Sequence, residues 1–120
     1  MRLLLVEDDP DIQLVAKAAL KRSGFVVSTT SNGPSALEQV RLDRPEVILL
    51  DWMMPEMDGP EVCRRLKADA ATADIPVIFL TARSQQSEIA RGLSLGAVGY
   101  IVKPFDALTL GTQVRELLTR

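Results

Sequence analysis

The groups in this chain that could do chemistry are acids, a hydroxyl and a lysine, each following an apolar run. Glu7, Asp8 and Asp9 follow Leu3 to Val6, Asp51 follows Val47 to Leu50, Thr81 closes Val77 to Leu80, and Lys103 follows Tyr100 to Val102. There is no histidine, and Cys63 is the single cysteine. Ser-His-Asp and Cys-His catalysis, histidine-ligated zinc and Cys-x-x-Cys sites are therefore excluded. What remains is oxygen chemistry, and clustered carboxylates suit a hard cation such as Mg²⁺. An aspartate, ordinarily ionised above about pH 3.9, needs no general base to attack a phosphoryl group and form an acyl phosphate. Neighbouring carboxylates repel. A divalent cation would relieve that conflict, while a lysine and a hydroxyl would offset the charge of the transferred group.

Such chemistry depends on a fold that gathers these residues. The four runs are unbroken apolar segments of strand length, as expected for strands buried on both faces of a parallel sheet. Val26 to Thr30 is strand-like but half polar, and belongs at an edge. Ile12, Val15, Ala16, Ala19 and Leu20 keep an i, i+3, i+4, i+7, i+8 spacing, and Leu110, Val114, Leu117 and Leu118 repeat the pattern. Shorter helices are predicted around 34–43, 59–68 and 85–95. Asp9-Pro10 and Asn32-Gly33-Pro34 read as helix starts. Five successive β–α units predict a doubly wound, three-layer α/β sandwich of five helices around five parallel strands, for which 2-1-3-4-5 is the common, flavodoxin-like order. All strands then end on one edge, with the first and third roughly 5 Å apart. Asp8 and Asp51 would face each other there, with Thr81 and Lys103 on the far side.

Composition sets the outer bounds. The length of 120 residues and 47% apolar content fit one domain over residues 1–120. With 14 basic and 16 acidic residues the net charge is −2, which offers no general attraction to nucleic acid or anionic membranes. No apolar run approaches bilayer length, and the N-terminus does not read as a signal peptide. A lone cysteine fits a reducing compartment, so the cytoplasm is expected.

The acidic run Leu4-Leu5-Val6-Glu7-Asp8-Asp9, the segment Asp51-Trp52-Met53-Met54-Pro55 with Asp58-Gly59, then Leu80-Thr81-Ala82 and Lys103-Pro104-Phe105 together resemble the four signatures of response-regulator receiver domains, across the whole chain. Each is weak alone; four in order at strand ends are specific. The resemblance implies a two-component or phosphorelay switch that takes a phosphoryl group from a histidine kinase or phosphotransfer protein onto Asp51. It implies that Asp8, Asp51 and the Met53 carbonyl hold Mg²⁺, with Glu7 acting through a metal-bound water. Thr81 and Lys103 would contact the phosphoryl group, and Tyr100 would reorient with Thr81. Lys103-Pro104 would be a cis peptide, and Met53 and Arg83 would set the hydrolysis rate. The chain would be no enzyme beyond its own phosphorylation and dephosphorylation.

Other residues read more simply. Asp9 and Asp58 are expected to cap helices, Cys63 to be a small core residue, and Trp52 to lie half exposed beside the site. A haloacid-dehalogenase-type phosphatase would need a second aspartate at the position of Met53. A flavin-binding protein would want a hydroxyl-rich loop where Glu7-Asp8-Asp9 stands. A pseudo-receiver that is never phosphorylated would not need the intact acidic set.

The signatures also resemble receivers joined to winged-helix DNA-binding domains, which dimerise through cross-subunit ion pairs. Here the positions of those pairs hold Ile89 with Thr109 and Gly99 with Gln113. A monomer or weak dimer is therefore expected, read by another protein or an attached domain and making no direct contact with nucleic acid or membrane. Both a stand-alone regulator and a fragment of a longer protein stay open.

Overall fold

The computed structural model describes residues 1–82 and 86–119, and the side chain of Gln86 is not described. The elements alternate: β1 (Arg2–Val6), α1 (Pro10–Arg22), β2 (Val26–Thr30), α2 (Gly33–Leu42), β3 (Val47–Asp51), α3 (Gly59–Ala68), β4 (Val77–Thr81), α4 (Gln86–Ser94), β5 (Gly99–Val102) and α5 (Leu110–Leu118). The strands form one parallel sheet in the order β2-β1-β3-β4-β5. This is the predicted doubly wound arrangement, with the half-polar strand at an edge.

Apolar burial builds two cores on the two faces of the sheet. On one face Leu4, Val6, Ile48, Leu50, Val77 and Phe79 meet Ala36 and Val40 of α2 and Val62, Cys63 and Leu66 of α3. On the other, Leu3, Leu5, Leu49, Ile78, Leu80 and Ile101 meet Ala16, Ala19 and Leu20 of α1 and Leu110 and Val114 of α5. β3 and β4 are buried throughout, which explains their unbroken apolar runs. β5 departs from the expectation for such runs: Tyr100 and Val102 are 38% and 39% exposed, because the outermost strand is covered fully on its α5 side alone. Val15 departs too. It is half exposed, at the margin of the α1 stripe, while Ala16, Ala19 and Leu20 carry the burial.

Local chemistry starts the helices where predicted. Asp9 Oδ1 accepts from the N–H groups of Asp11 and Ile12 at 2.9 and 3.3 Å. Asn32 caps α2 through Ser35 N at 2.8 Å, and Asp58 caps α3 through Glu61 N at 2.9 Å. Each satisfies amide donors that a helix start leaves orphaned, and each is followed by a proline in the first turn.

Candidate functional site

Strand register delivers the chemistry. Val6 pairs with Leu50, so Glu7 leaves β1 beside Asp51, the last residue of β3. Asp51 pairs with Leu80, and Thr81 ends β4 opposite Val102. The chain then places Lys103 just past β5, where its N–H donates to the Thr81 carbonyl at 2.7 Å. Carboxylate oxygens of Glu7, Asp8 and Asp51 come within 4.8 Å of one another. Lys103 Nζ stands 2.9 Å from Asp51 Oδ1 and 2.7 Å from Glu7 Oε1. One open cleft is lined by all of these together with Asp9, Met53, Thr81 and Ala82. The Lys103–Pro104 bond is cis, as expected.

The acids differ in environment. Glu7 is fully buried, and its Oε2 accepts from the Asp9 N–H at 3.0 Å, so it faces protein on both oxygens. Asp8 is exposed at the mouth. Asp51 is buried, and burial pushes its carboxyl up to about 7; Lys103 pulls it down, while Asp8 and Glu7 push it up further. For Lys103, burial acts downward, but its contacts with Glu7 and Asp51 outweigh it and hold the ammonium above its ordinary range.

This donor set fits a hard divalent cation. It is all oxygen, close, open at the Asp8 side, and holds more acid than Lys103 neutralises. Relief of carboxylate repulsion is what Mg²⁺ would supply. Met53, 60% exposed, lines the mouth of this cleft.

A glycine holds the acceptor strand end in place. A Cβ on Gly59 would stand 2.2 Å from the Asp51 carbonyl oxygen and 3.0 Å from Trp52 Cα, and the Gly59 N–H donates to the Trp52 carbonyl at 2.9 Å. α3 therefore starts flush against the backbone of Asp51, which only a residue without a side chain permits.

One expectation changes. Trp52 is not half exposed: it is 8% exposed, edge-on to Phe79 with ring centroids 4.8 Å apart, beneath Gly92 of α4. A single residue past a buried strand, it turns under α4 instead of outward. Glu7, which the resemblance places behind a metal-bound water, also holds Lys103 Nζ at 2.7 Å. Tyr100 and Thr81 line a small cleft beneath α4 with Phe79, Ile89 and Leu93. Asp9 and Asp58 are caps, and Cys63 is fully buried, its thiol raised by that burial. Arg83 lies outside the described residues. Gln13 was not singled out by sequence, yet its amide reaches the carbonyls of Glu7 and Thr30 at 3.0 and 3.3 Å. A polar residue in the first helical turn gives no local sign of that contact.

The response regulator receiver domain model matches residues 3–115. The chain is 42% identical over 118 residues to the transcriptional regulatory protein CseB of Streptomyces coelicolor, covering 98% of this chain and 49% of that protein. It spans about half the length of the curated relatives it matches. Among solved structures it is similar to the chemotaxis protein CheY4 of Vibrio cholerae, with a TM-score of 0.91, 28% identity and 97% of each chain covered. It is also similar to the signal receiver domain of a signal transduction histidine kinase from Syntrophus aciditrophicus. There the TM-score is 0.87 and the identity 37%, covering 98% of this chain and 89% of that one.

Proposed function

The chain belongs to the response regulator receiver domain family, and from that premise we propose that it is the phosphoacceptor switch of a two-component or phosphorelay pathway, with Asp51 as acceptor. The observation that carries this reading is the 2.9 Å contact of Asp51 Oδ1 with Lys103 Nζ inside a cluster of three carboxylates. An Asp51 oxygen attacks the phosphorus of a phosphohistidine on a histidine kinase or phosphotransfer protein. The O–P bond forms, the P–N bond breaks, and the imidazole leaves with the electron pair and gains a proton from solvent. Lys103 offsets charge on the phosphoryl oxygens, and the Thr81 hydroxyl donates to one of them. Asp8, Asp51 and the Met53 carbonyl are the groups that would hold Mg²⁺, with Glu7 behind them through water; the ion, when bound, would neutralise the acids and draw charge from the phosphoryl group.

Beyond its own phosphorylation and dephosphorylation the chain turns over no substrate. Met53 is a poor group for orienting water, so the phosphoryl group is long-lived. Engagement of Thr81 changes the cleft it shares with Tyr100, and the face made by α4, β5 and α5 is then read by another protein or an attached domain. Among the described residues no helix is long and apolar enough to cross a membrane; the lone cysteine, Cys63, supports a reducing, cytoplasmic setting for the switch. Incubation with acetyl phosphate and Mg²⁺, followed by intact mass measurement, should add one phosphoryl group to wild type and none to Asp51→Asn or to wild type in EDTA. Equal labelling of Asp51→Asn overturns the assignment.

A further inference from the structure

We infer that Gln13 is a positioning residue for the metal site, fixing through the Glu7 carbonyl the peptide that carries Asp8. Gln13 lies in the first turn of α1, half buried. Its Nε2 donates to the Glu7 carbonyl at 3.0 Å and the Thr30 carbonyl at 3.3 Å, with Ser31 Oγ at 3.5 Å. All three partners can accept and two can do nothing else, so the amide nitrogen must be the atom that faces them.

The consequence follows from peptide geometry. The Glu7 carbonyl shares a rigid plane with the Asp8 N–H, so holding that oxygen sets the direction in which Asp8 leaves the strand. The preceding plane is held by the Glu7 N–H on the Thr30 carbonyl at 3.1 Å. The following one is held by the Asp9 N–H on Glu7 Oε2 at 3.0 Å. Asp8 itself is exposed, so the direction of its peptide decides where its carboxylate stands. Gln13 thus secures one of the two peptides flanking the exposed acid, and does so from a helix that otherwise packs by Ala16, Ala19 and Leu20. Its removal should loosen Asp8 without opening the core.

This inference rests on the reading of Glu7, Asp8 and Asp51 as a Mg²⁺ site. Its test uses the metal alone and the loss of a donor at nearly constant shape. Mg²⁺ demands near-ideal octahedral geometry, whereas Ca²⁺ accepts flexible coordination. Calorimetric titration of Gln13→Met should show Mg²⁺ affinity reduced by roughly tenfold, about the worth of one hydrogen bond. Ca²⁺ affinity should fall less, so that the Mg²⁺/Ca²⁺ preference narrows, while the melting temperature in EDTA stays near that of wild type. Unchanged Mg²⁺ affinity overturns the inference. So does an equal fall for both ions in step with a lower melting temperature, which marks a purely structural role. Failure of wild type itself to bind Mg²⁺ refutes the metal site and this inference with it.

Discussion

The buried carboxylate of Glu7 lies 2.7 Å from the ammonium of Lys103, a residue delivered from the opposite end of the chain. The same ammonium reaches Asp51 at 2.9 Å, so one cation serves two buried acids. Removing one partner of a buried pair leaves an uncompensated charge, typically at a cost of about 3 kcal/mol. Lys103→Met should therefore lower stability to urea in EDTA by about that amount at pH 8. At acid pH, where Asp51 takes up a proton, the loss should shrink. A loss of the same size at both ends of the pH range would contradict the pairing.

Asp51 makes its own contribution to pH dependence. Its carboxyl is raised from 3.8 to about 7, chiefly by burial. Between those values the native state keeps a proton that the unfolded chain has released, so this group lowers stability as pH rises through the window, and the full penalty is present above pH 7. Asp51→Asn cannot ionise and keeps Lys103 paired with Glu7. In EDTA it should be more stable than wild type at pH 8, with the advantage fading toward pH 4. Urea unfolding across pH checks this. A pH-independent difference, or a deficit at pH 8, would mean that Asp51 is not held near neutrality.

The contact of Gly59 with the acceptor strand gives a prediction without any charge in it. In Gly59→Ala the new Cβ meets backbone at 2.2 Å, at the Asp51 carbonyl, and backbone cannot swing aside like a side chain. Overpacking of this kind destabilises by roughly 1–3 kcal/mol. Thermal unfolding should show it, with α3 shifted and Mg²⁺ binding weakened through Asp51. Wild-type melting would refute the close approach.

The strands, the half-polar edge strand and the three capped helix starts were legible because each is written locally, whereas the strand order was expected only as the common one for five β–α units. Apolar runs mark β1, β3 and β4, and Asp9, Asn32 and Asp58 each stand before a proline. The acidic pocket was legible too, since parallel strands share one terminal edge. What escaped depends on contacts between distant residues. Nothing near Trp52 tells that Phe79 and Gly92 will cover it. The shared edge brings Lys103 to the pocket, but nothing near Glu7 tells that its carboxylate will take the ammonium, or that Gln13 will hold its carbonyl.

The α4–β5–α5 face yields a prediction about assembly. Gly99 is buried, and a Cβ there would stand 2.6 Å from a Leu117 methyl. That position is taken up by packing within the chain and can present no charge to a second copy. Thr109 and Gln113 are exposed but uncharged, and Ile89 is half buried. Cross-subunit ion pairs set register and partner choice, and none can form at these positions. Sedimentation with beryllofluoride, a stand-in for the phosphoryl group, should show no tight dimer. An activation-dependent dimer broken by Ile89→Ala or Gln113→Ala would contradict this.

The central claim, that Asp51 accepts the phosphoryl group, is tested most directly by locating the acyl phosphate. Borohydride reduces an aspartyl phosphate to homoserine. Wild type treated with acetyl phosphate and Mg²⁺, reduced and mapped by peptide sequencing in a mass spectrometer, should carry homoserine at residue 51 and at no other acid. Homoserine at residue 8, 9 or 58, or at none while the protein gains phosphoryl mass, would contradict the account.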